Sequence, residues 1–294
     1  MGKVEDNQGD SSEVAVAHAL EHIKRQVESD EPFFTVIWYG TPHSPFKASD
    51  ADNEPFKDLD ENSMHHYGEL VALDRSIGTL RSGLRELGIE RETLFWYCSD
   101  NGGLPKIQPP TTGGLRGNKG LIYEGGLRVP GIIEWPGTVK PRQTEFPASV
   151  MDMMPTILEL AGVKHPAPER PADGISLTRL FPGQSPVESE RGEAIFFRYK
   201  TKAAMVDGDW KLLSNRVDDG PFELYNLAKD PSESKDRSKT NAKRYESMKT
   251  KLVAWLASTD ASEAGKDYPE QTVDPQHPQP MFWVDREDYQ PYLD

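Results

Sequence analysis

The chain has 294 residues, long enough for one large domain or for a domain with a smaller companion, and long enough to bury a core. Its 34 lysines and arginines stand against 48 acids, a net charge of −14, which disfavours nonspecific binding to nucleic acid or to an anionic membrane surface. A single cysteine, Cys98, rules out an intrachain disulfide, and no run of about 18 apolar residues reads as a membrane span.

Residues 1–9 read as a disordered start. Asp10-Ser-Ser-Glu13 then has the spacing of a helix N-terminal capping arrangement, and Val16, Leu20, Ile23 and Val27 follow on one helical face to about Ser29. Phe33 to Tyr39, FFTVIWY, is a continuous apolar run of strand length that ends in the polar loop Gly40-Thr-Pro-His-Ser-Pro45. His18, His22, His65, His66, His165 and His277 read as ordinary exposed side chains. His43 differs, because the prolines at 42 and 45 restrict the backbone on both sides and aim its ring. A long helix from Met64 to about Gly88 carries Leu73, Ile77, Leu80, Leu84 and Leu87 on one stripe and leads into a second apolar run, Thr93 to Cys98. The order helix, strand, helix, strand implies an α/β fold with a parallel-dominated sheet flanked by helices, and both polar loops then open on the same edge of that sheet.

The second run breaks abruptly into Ser99, Asp100, Asn101, Gly102 and Gly103. Beyond a strand end, Asp100 and Asn101 offer a carboxylate and an amide oxygen that could share a hard cation. The same Asp-Asn-Gly-Gly sequence is also good turn chemistry by itself. From Leu104 to Arg128 the positive charges are Lys106, Arg116, Lys119 and Arg128, with Glu124 the only negative one. A basic island in an acidic chain, interleaved with glycines that permit tight folding around a small ligand, suggests an anion site; a solvated basic loop is the plainer alternative. Cys98, inside the apolar run, reads as a small core residue rather than a nucleophile.

Beyond Gly137, Ser149 to Gly162 reads as a helix with a serine cap, a first-turn aspartate and a terminal glycine. Ala203 to Leu213 has strand-like flanks about an Asp-Gly turn, and FELYNL supplies another strand. With a helix near Ala242 to Leu256, these form a smaller α+β C-terminal subdomain. The expected division is an α/β part over 10–185, the subdomain over 186–260 and an extended tail over 261–294.

The segments EPFFTVIWYGTPHSPF, YGELVALDRSIGTLRSGLRELGIERETLFWYCSDNGG and LRGNKGLIYEGGLRVPGIIEWPG, in this order and spacing, resemble the sulfatases of the alkaline phosphatase superfamily. The resemblance implies a calcium-dependent hydrolase of sulfate esters, with sulfated small molecules or glycans as substrates and an exported location. By position, Asp100 and Asn101 match the family's metal ligands, Lys119 its sulfate-contacting lysine, and His43 a histidine near the leaving-group oxygen. Arg116, Glu124 and Arg128 are expected to brace the loop. In sulfatases the C-terminal subdomain borders the active-site cleft, where Trp210 and Lys211 are either substrate contacts or packed hairpin side chains.

The sequence also departs from the family's pattern. The paired aspartates and the Cys-or-Ser-x-Pro-x-Arg motif, whose first residue becomes the formylglycine nucleophile, do not occur in it. The chain thus resembles the C-terminal part of a sulfatase, with half of the metal shell and half of the sulfate shell, and alone it is expected to be inactive. Two other readings stay open: a noncatalytic anion- or glycan-binding module, and a phosphate-ester hydrolase of the same superfamily.

Overall fold

The computed structural model describes residues 9–165, 172–181 and 190–267, so most of the expected disordered start and extended tail lie outside the described residues. The chain divides into two compact units, Met1–Leu87 with Ala261–Asp294, and Gly88–Asp260.

In the first unit α1 spans Ser11–Glu28. Asp10 Oδ1 caps it by accepting from the Ser12 N–H at 2.8 Å, whereas Glu13 pairs with Arg75 Nε at 2.6 Å instead of reaching back to the cap. Val16, Ala19 and Ile23 are buried along α1, and Leu73, Leu80 and Leu84 along α3, Glu61–Glu86, which packs on it. The short α2, Asp50–Asn53, is tied to α3 by Arg75, whose Nη1 and Nη2 donate to the Asp52 carboxylate at 2.8 and 3.0 Å. The paired guanidinium holds the Asp52 carboxyl below the usual carboxylate range.

Several expectations fail in this unit. His22 and His65 are half-buried rather than exposed, and His65 Nδ1 accepts from Ala48 N at 3.2 Å. His66 is buried rather than exposed: it lies on the inner face of α3 with its ring edge-on to Phe46 at 5.3 Å, and burial lowers its pKa. Phe33–Tyr39 is not a buried strand but extended chain with no ladder partner among the described residues. Its residues alternate: Phe33, Thr35, Ile37 and Tyr39 are half-buried, while Phe34, Val36 and Trp38 are 68%, 55% and 88% exposed. A fully buried strand needs neighbours along both edges and layers on both faces, and only one face of this run is covered.

The second unit holds two sheets. β1, Phe95–Cys98, pairs antiparallel with β2, Gly131–Glu134, placing Trp96 opposite Ile133 and Tyr97 opposite Ile132. Trp96 and Ile133 pack on the buried cluster Phe146, Leu177 and Phe181, whereas Ile132 on the other face is 56% exposed. A continuous apolar run such as Thr93 to Cys98 suits a strand buried on both faces, but β1 is half-buried throughout, with Trp96 packed on the one covered face. The capped helix reading of 149–162 holds in detail. Ser149 and Asp152 form a capping box, one 3₁₀ turn leads into α5, Met153–Ala161, and Gly162 ends it at φ 65°. Asp152 is fully buried and takes both Arg191 Nη atoms at 2.6 Å.

The second sheet runs β3 (Ile195–Tyr199), β4 (Lys202–Asp207), β5 (Trp210–Ser214) and β6 (Glu223–Asn226), all antiparallel in chain order. Gly208, at φ 57°, makes the β4–β5 turn. α6, Ala242–Glu263, buries Met248 and Leu252 against Ala203, Met205, Leu212 and Leu224. The α/β class stands in incomplete form, while every strand pairing among the described residues is antiparallel and the expected parallel order is not seen there. No described helix is long and apolar enough to cross a membrane.

Candidate functional site

β1 delivers the chain to Asp100 and Asn101. Asp100 is exposed, Asn101 half-buried, and Asn101 Nδ2 donates to Asp100 Oδ1 at 3.0 Å. Ser99 Oγ donates to Asn101 O at 3.0 Å and tightens the turn. The turn reading and the ligand reading of these residues are therefore compatible. Cys98, just behind, has its thiol pushed up by burial and further by the charge of Asp100, which leaves it protonated and unsuited to attack.

The Asp100 turn and the Lys119 loop are latched by backbone. Gly102 N donates to Gly126 O at 3.0 Å, and Lys119 N donates to Gly103 O at 2.8 Å. The approach is possible only because Gly102 lacks a side chain: a Cβ there would stand 2.2 Å from Gly125 O. Within the loop, Gly125 N donates to Arg116 O at 2.7 Å, and Gly117 and Gly120 take φ 81° and 85°. Lys119 is half-buried on this frame.

The far side of the loop is clamped to the second sheet. Arg116 Nη1 donates to Tyr225 Oη and to Glu233 O, each at 2.9 Å, and its guanidinium lies 3.9 Å from the centroid of the Tyr123 ring. The short helix α4, Glu124–Leu127, begins on Glu233, whose Oε2 accepts from Glu124 N at 2.6 Å. Lys211, fully buried on β5, reaches Glu124 Oε1 and Glu233 Oε1 at 2.9 Å each, and Arg128 Nε adds a contact to Glu124 Oε2 at 3.1 Å. Burial pushes the Glu233 carboxyl up and the Lys211 ammonium pulls it back. Arg116, Glu124 and Arg128 thus brace the loop as their positions suggested. Lys211 does not touch substrate: it is sealed inside. Both faces of β5 are covered, Lys211 and Leu213 lying on one and Leu212 on the other, and all three are fully buried.

His43 belongs to the first unit. Its backbone N donates to Gly40 O at 2.9 Å, closing a turn, and its Nδ1 donates to Ser44 O at 2.8 Å, which leaves Nε2 as the acceptor when the ring is neutral. The ring is exposed. The structure therefore brings Asp100, Asn101 and Lys119 into one frame in the second unit, while His43 is held by its own turn in the first.

Asp100 and Asn101 are hard oxygen donors already side by side, and rotating the amide would turn its oxygen toward the same space as the carboxylate. They suit calcium in kind. In number they are few, and among the described residues no group of three or more His, Cys, Asp or Glu could hold a metal ion.

Comparison with known proteins bears on this arrangement. The family model described as Sulfatase matches residues 2–163, and that described as N-sulphoglucosamine sulphohydrolase, C-terminal, matches 117–262. A sulfatase of Formosa agariphila is 30% identical over 272 residues, covering 82% of this chain and 49% of that protein. Arylsulfatase A of Homo sapiens is 35% identical over 189 residues, covering 60% and 34%. The chain thus spans half or less of the length of these curated relatives. Among solved structures, Ps i-CgsB is similar at a TM-score of 0.73 and 26% identity, covering 93% of this chain and 57% of that one. The PsFucS1 sulfatase from Pseudoalteromonas sp. shares the fold, with a TM-score of 0.71, 22% identity and coverage of 90% and 54%.

Proposed function

The chain belongs to the sulfatase family, and we propose that it serves the hydrolysis of sulfate esters, with sulfated glycans as the substrate class, by supplying part of the sulfate pocket and part of a calcium shell. The observation that carries this reading is the latch: Lys119 N on Gly103 O at 2.8 Å and Gly102 N on Gly126 O at 3.0 Å hold an ammonium-bearing loop and an oxygen-donor turn in one rigid frame.

Hydrolysis breaks the S–O bond of the ester, so negative charge grows on the sulfate oxygens and on the departing oxygen. Lys119 offsets charge on the sulfate, and its value lies in being fixed before the reaction begins. Asp100 and Asn101 would hold calcium, which polarises the sulfate when bound. His43 carries over from the family as the group that gives a proton to the leaving oxygen. A nucleophile is also required, and neither Cys98 nor the residues named here supply one. Location outside the cytoplasm is likewise carried over from the family.

The test joins the chain to a sulfatase segment bearing a matured formylglycine. Lys119→Ala should then lower kcat on an aryl sulfate by roughly a hundredfold or more, the order expected for one preorganised donor to a charged transition state. Undiminished turnover in this variant would remove Lys119 from the pocket.

A further inference from the structure

The β3–β4 hairpin tip, Tyr199-Lys200-Thr201-Lys202, lies against the residue that follows Lys119. Lys202 Nζ donates to Gly120 O at 2.7 Å, and a Cβ built on Gly120 would stand 4.0 Å from Tyr199 Cε1. Tyr199 is 46% exposed. Two ammonium groups stand over the ring at the outer edge of contact range, Lys200 Nζ at 5.4 Å and Lys202 Nζ at 5.5 Å from its centroid. Lys200 also takes φ 56°, a conformation uncommon outside glycine. Between Ile195 and Val206 the sequence has Arg198, Lys200 and Lys202 and no acid, in a chain of net charge −14. Arg198 is occupied elsewhere, 2.6 Å from Asp260.

We propose that this tip is an accessory subsite: the Tyr199 ring takes the face of a sugar, and Lys200 takes a second anionic group, sulfate or carboxylate, on the sugar whose sulfate ester is held at Lys119. The inference rests on the reading of Lys119 as a sulfate contact and narrows the substrate class to glycans with more than one acidic group. An exposed aromatic face suits apolar sugar C–H groups, and a flanking ammonium adds charge selectivity that the ring lacks. Lys202 sets the spacing by tying the tip to Gly120, so it positions the subsite while Lys200 makes the contact.

Calorimetric titration of the full 294-residue chain with inorganic sulfate, glucose 6-sulfate and glucose 2,6-disulfate tests this. The disulfate should bind about twofold to fivefold more tightly than the monosulfate, the order of one exposed charge contact. In Lys200→Ala that ratio should fall to about one, whereas a general folding defect would weaken both sugars and keep the ratio. Tyr199→Ala should weaken both sugars about tenfold relative to inorganic sulfate. A ratio of one in the wild type, or an undiminished ratio in Lys200→Ala, overturns the inference. Lys119→Ala reports on the underlying reading, because inorganic sulfate should then be lost. If sulfate binding ignores Lys119 while the sugar ratio follows Lys200, the subsite stands and the Lys119 reading falls. If no probe binds the wild-type chain, both fall.

Discussion

The ammonium of Lys211 lies 2.9 Å from the carboxylate of Glu124, 87 positions away in the chain, and the pair fastens the loop of Lys119 to the core of the C-terminal sheet. Glu233 completes the cluster from a third segment at 2.9 Å. Two carboxylates around one fully buried ammonium are tolerable only while the ammonium is there.

Lys211→Met should therefore destabilise the fold by about 3 to 5 kcal/mol, the range for removing one partner from a buried ion group. Adding Glu233→Gln to that variant should recover part of the loss, because an amide can donate to Glu124 where a second carboxylate repels it. Urea unfolding of the single and double variants decides the matter. A double variant no more stable than Lys211→Met would show that the methionine's packing, not charge, sets the loss.

Gly102 offers a backbone test of the latch. A methyl group there would sit 2.2 Å from Gly125 O and 2.7 Å from Gly126 C, both backbone atoms that cannot swing away. Gly102→Ala should push the Asp100 turn from the Lys119 loop, break the Gly102–Gly126 and Lys119–Gly103 hydrogen bonds, and speed amide exchange at Lys119 at least tenfold. Exchange in β4 and β5 should stay slow. Equal acceleration in the sheet would mean that the substitution unfolds the unit rather than opening the latch.

Glu69 gives the first unit a pH dependence. It is 5% exposed; Oε1 accepts from Lys47 N at 2.7 Å, while Oε2 has no hydrogen-bond partner among the described residues. Burial pushes its carboxyl up, against the Lys47 hydrogen bond, and the negative charge of Asp10 adds to the rise. A folded pKa above the unfolded one means that the favourable contribution is complete below the unfolded value and is lost as pH rises through the folded value. Glu69→Gln mimics the protonated form. It should raise stability by about 1 kcal/mol at pH 8 and change little at pH 4, as measured by denaturant unfolding at the two pH values. A loss at pH 8 would show that the carboxylate is satisfied by a partner the amide cannot replace.

Local signals in the sequence were dependable where one segment decides its own structure. Asp10 capping α1, the leucine stripe of α3, the Ser149 to Gly162 helix and the Gly208 turn depend on a few neighbouring residues. Phe33–Tyr39 and His66 were misread because burial is a property of what packs on a segment. FFTVIWY looks the same whether one face or two are covered. β3 was missed for a related reason: IFFRY has the composition of a strand, but its register comes from β4. The resemblance singled out Asp100, Asn101 and Lys119, but the backbone latch that joins their two loops is not written in either segment alone, and the Lys211–Glu233 clamp likewise joins segments that no local pattern relates.

Calcium affinity is the most direct measure of how much of a metal site these residues make. Calcium takes about six to eight oxygen ligands, and the identified side chains offer two, one carboxylate and one amide. Titration of the chain should give a Kd of about 0.1 mM or weaker, the range of sparsely charged sites. Asp100→Ala should abolish binding, since the anionic donor supplies most of the attraction, and Asn101→Ala should weaken it several-fold. Magnesium should do no better, because it demands octahedral geometry and keeps its waters. Lys119, latched to the same turn, opposes a cation until an anion neutralises it. Inorganic sulfate should therefore tighten calcium binding, and by reciprocity calcium should tighten sulfate binding by the same factor. Submicromolar calcium affinity that Asp100→Ala destroys would show that this chain holds further ligands, and calcium binding indifferent to sulfate would separate the metal turn from the Lys119 loop.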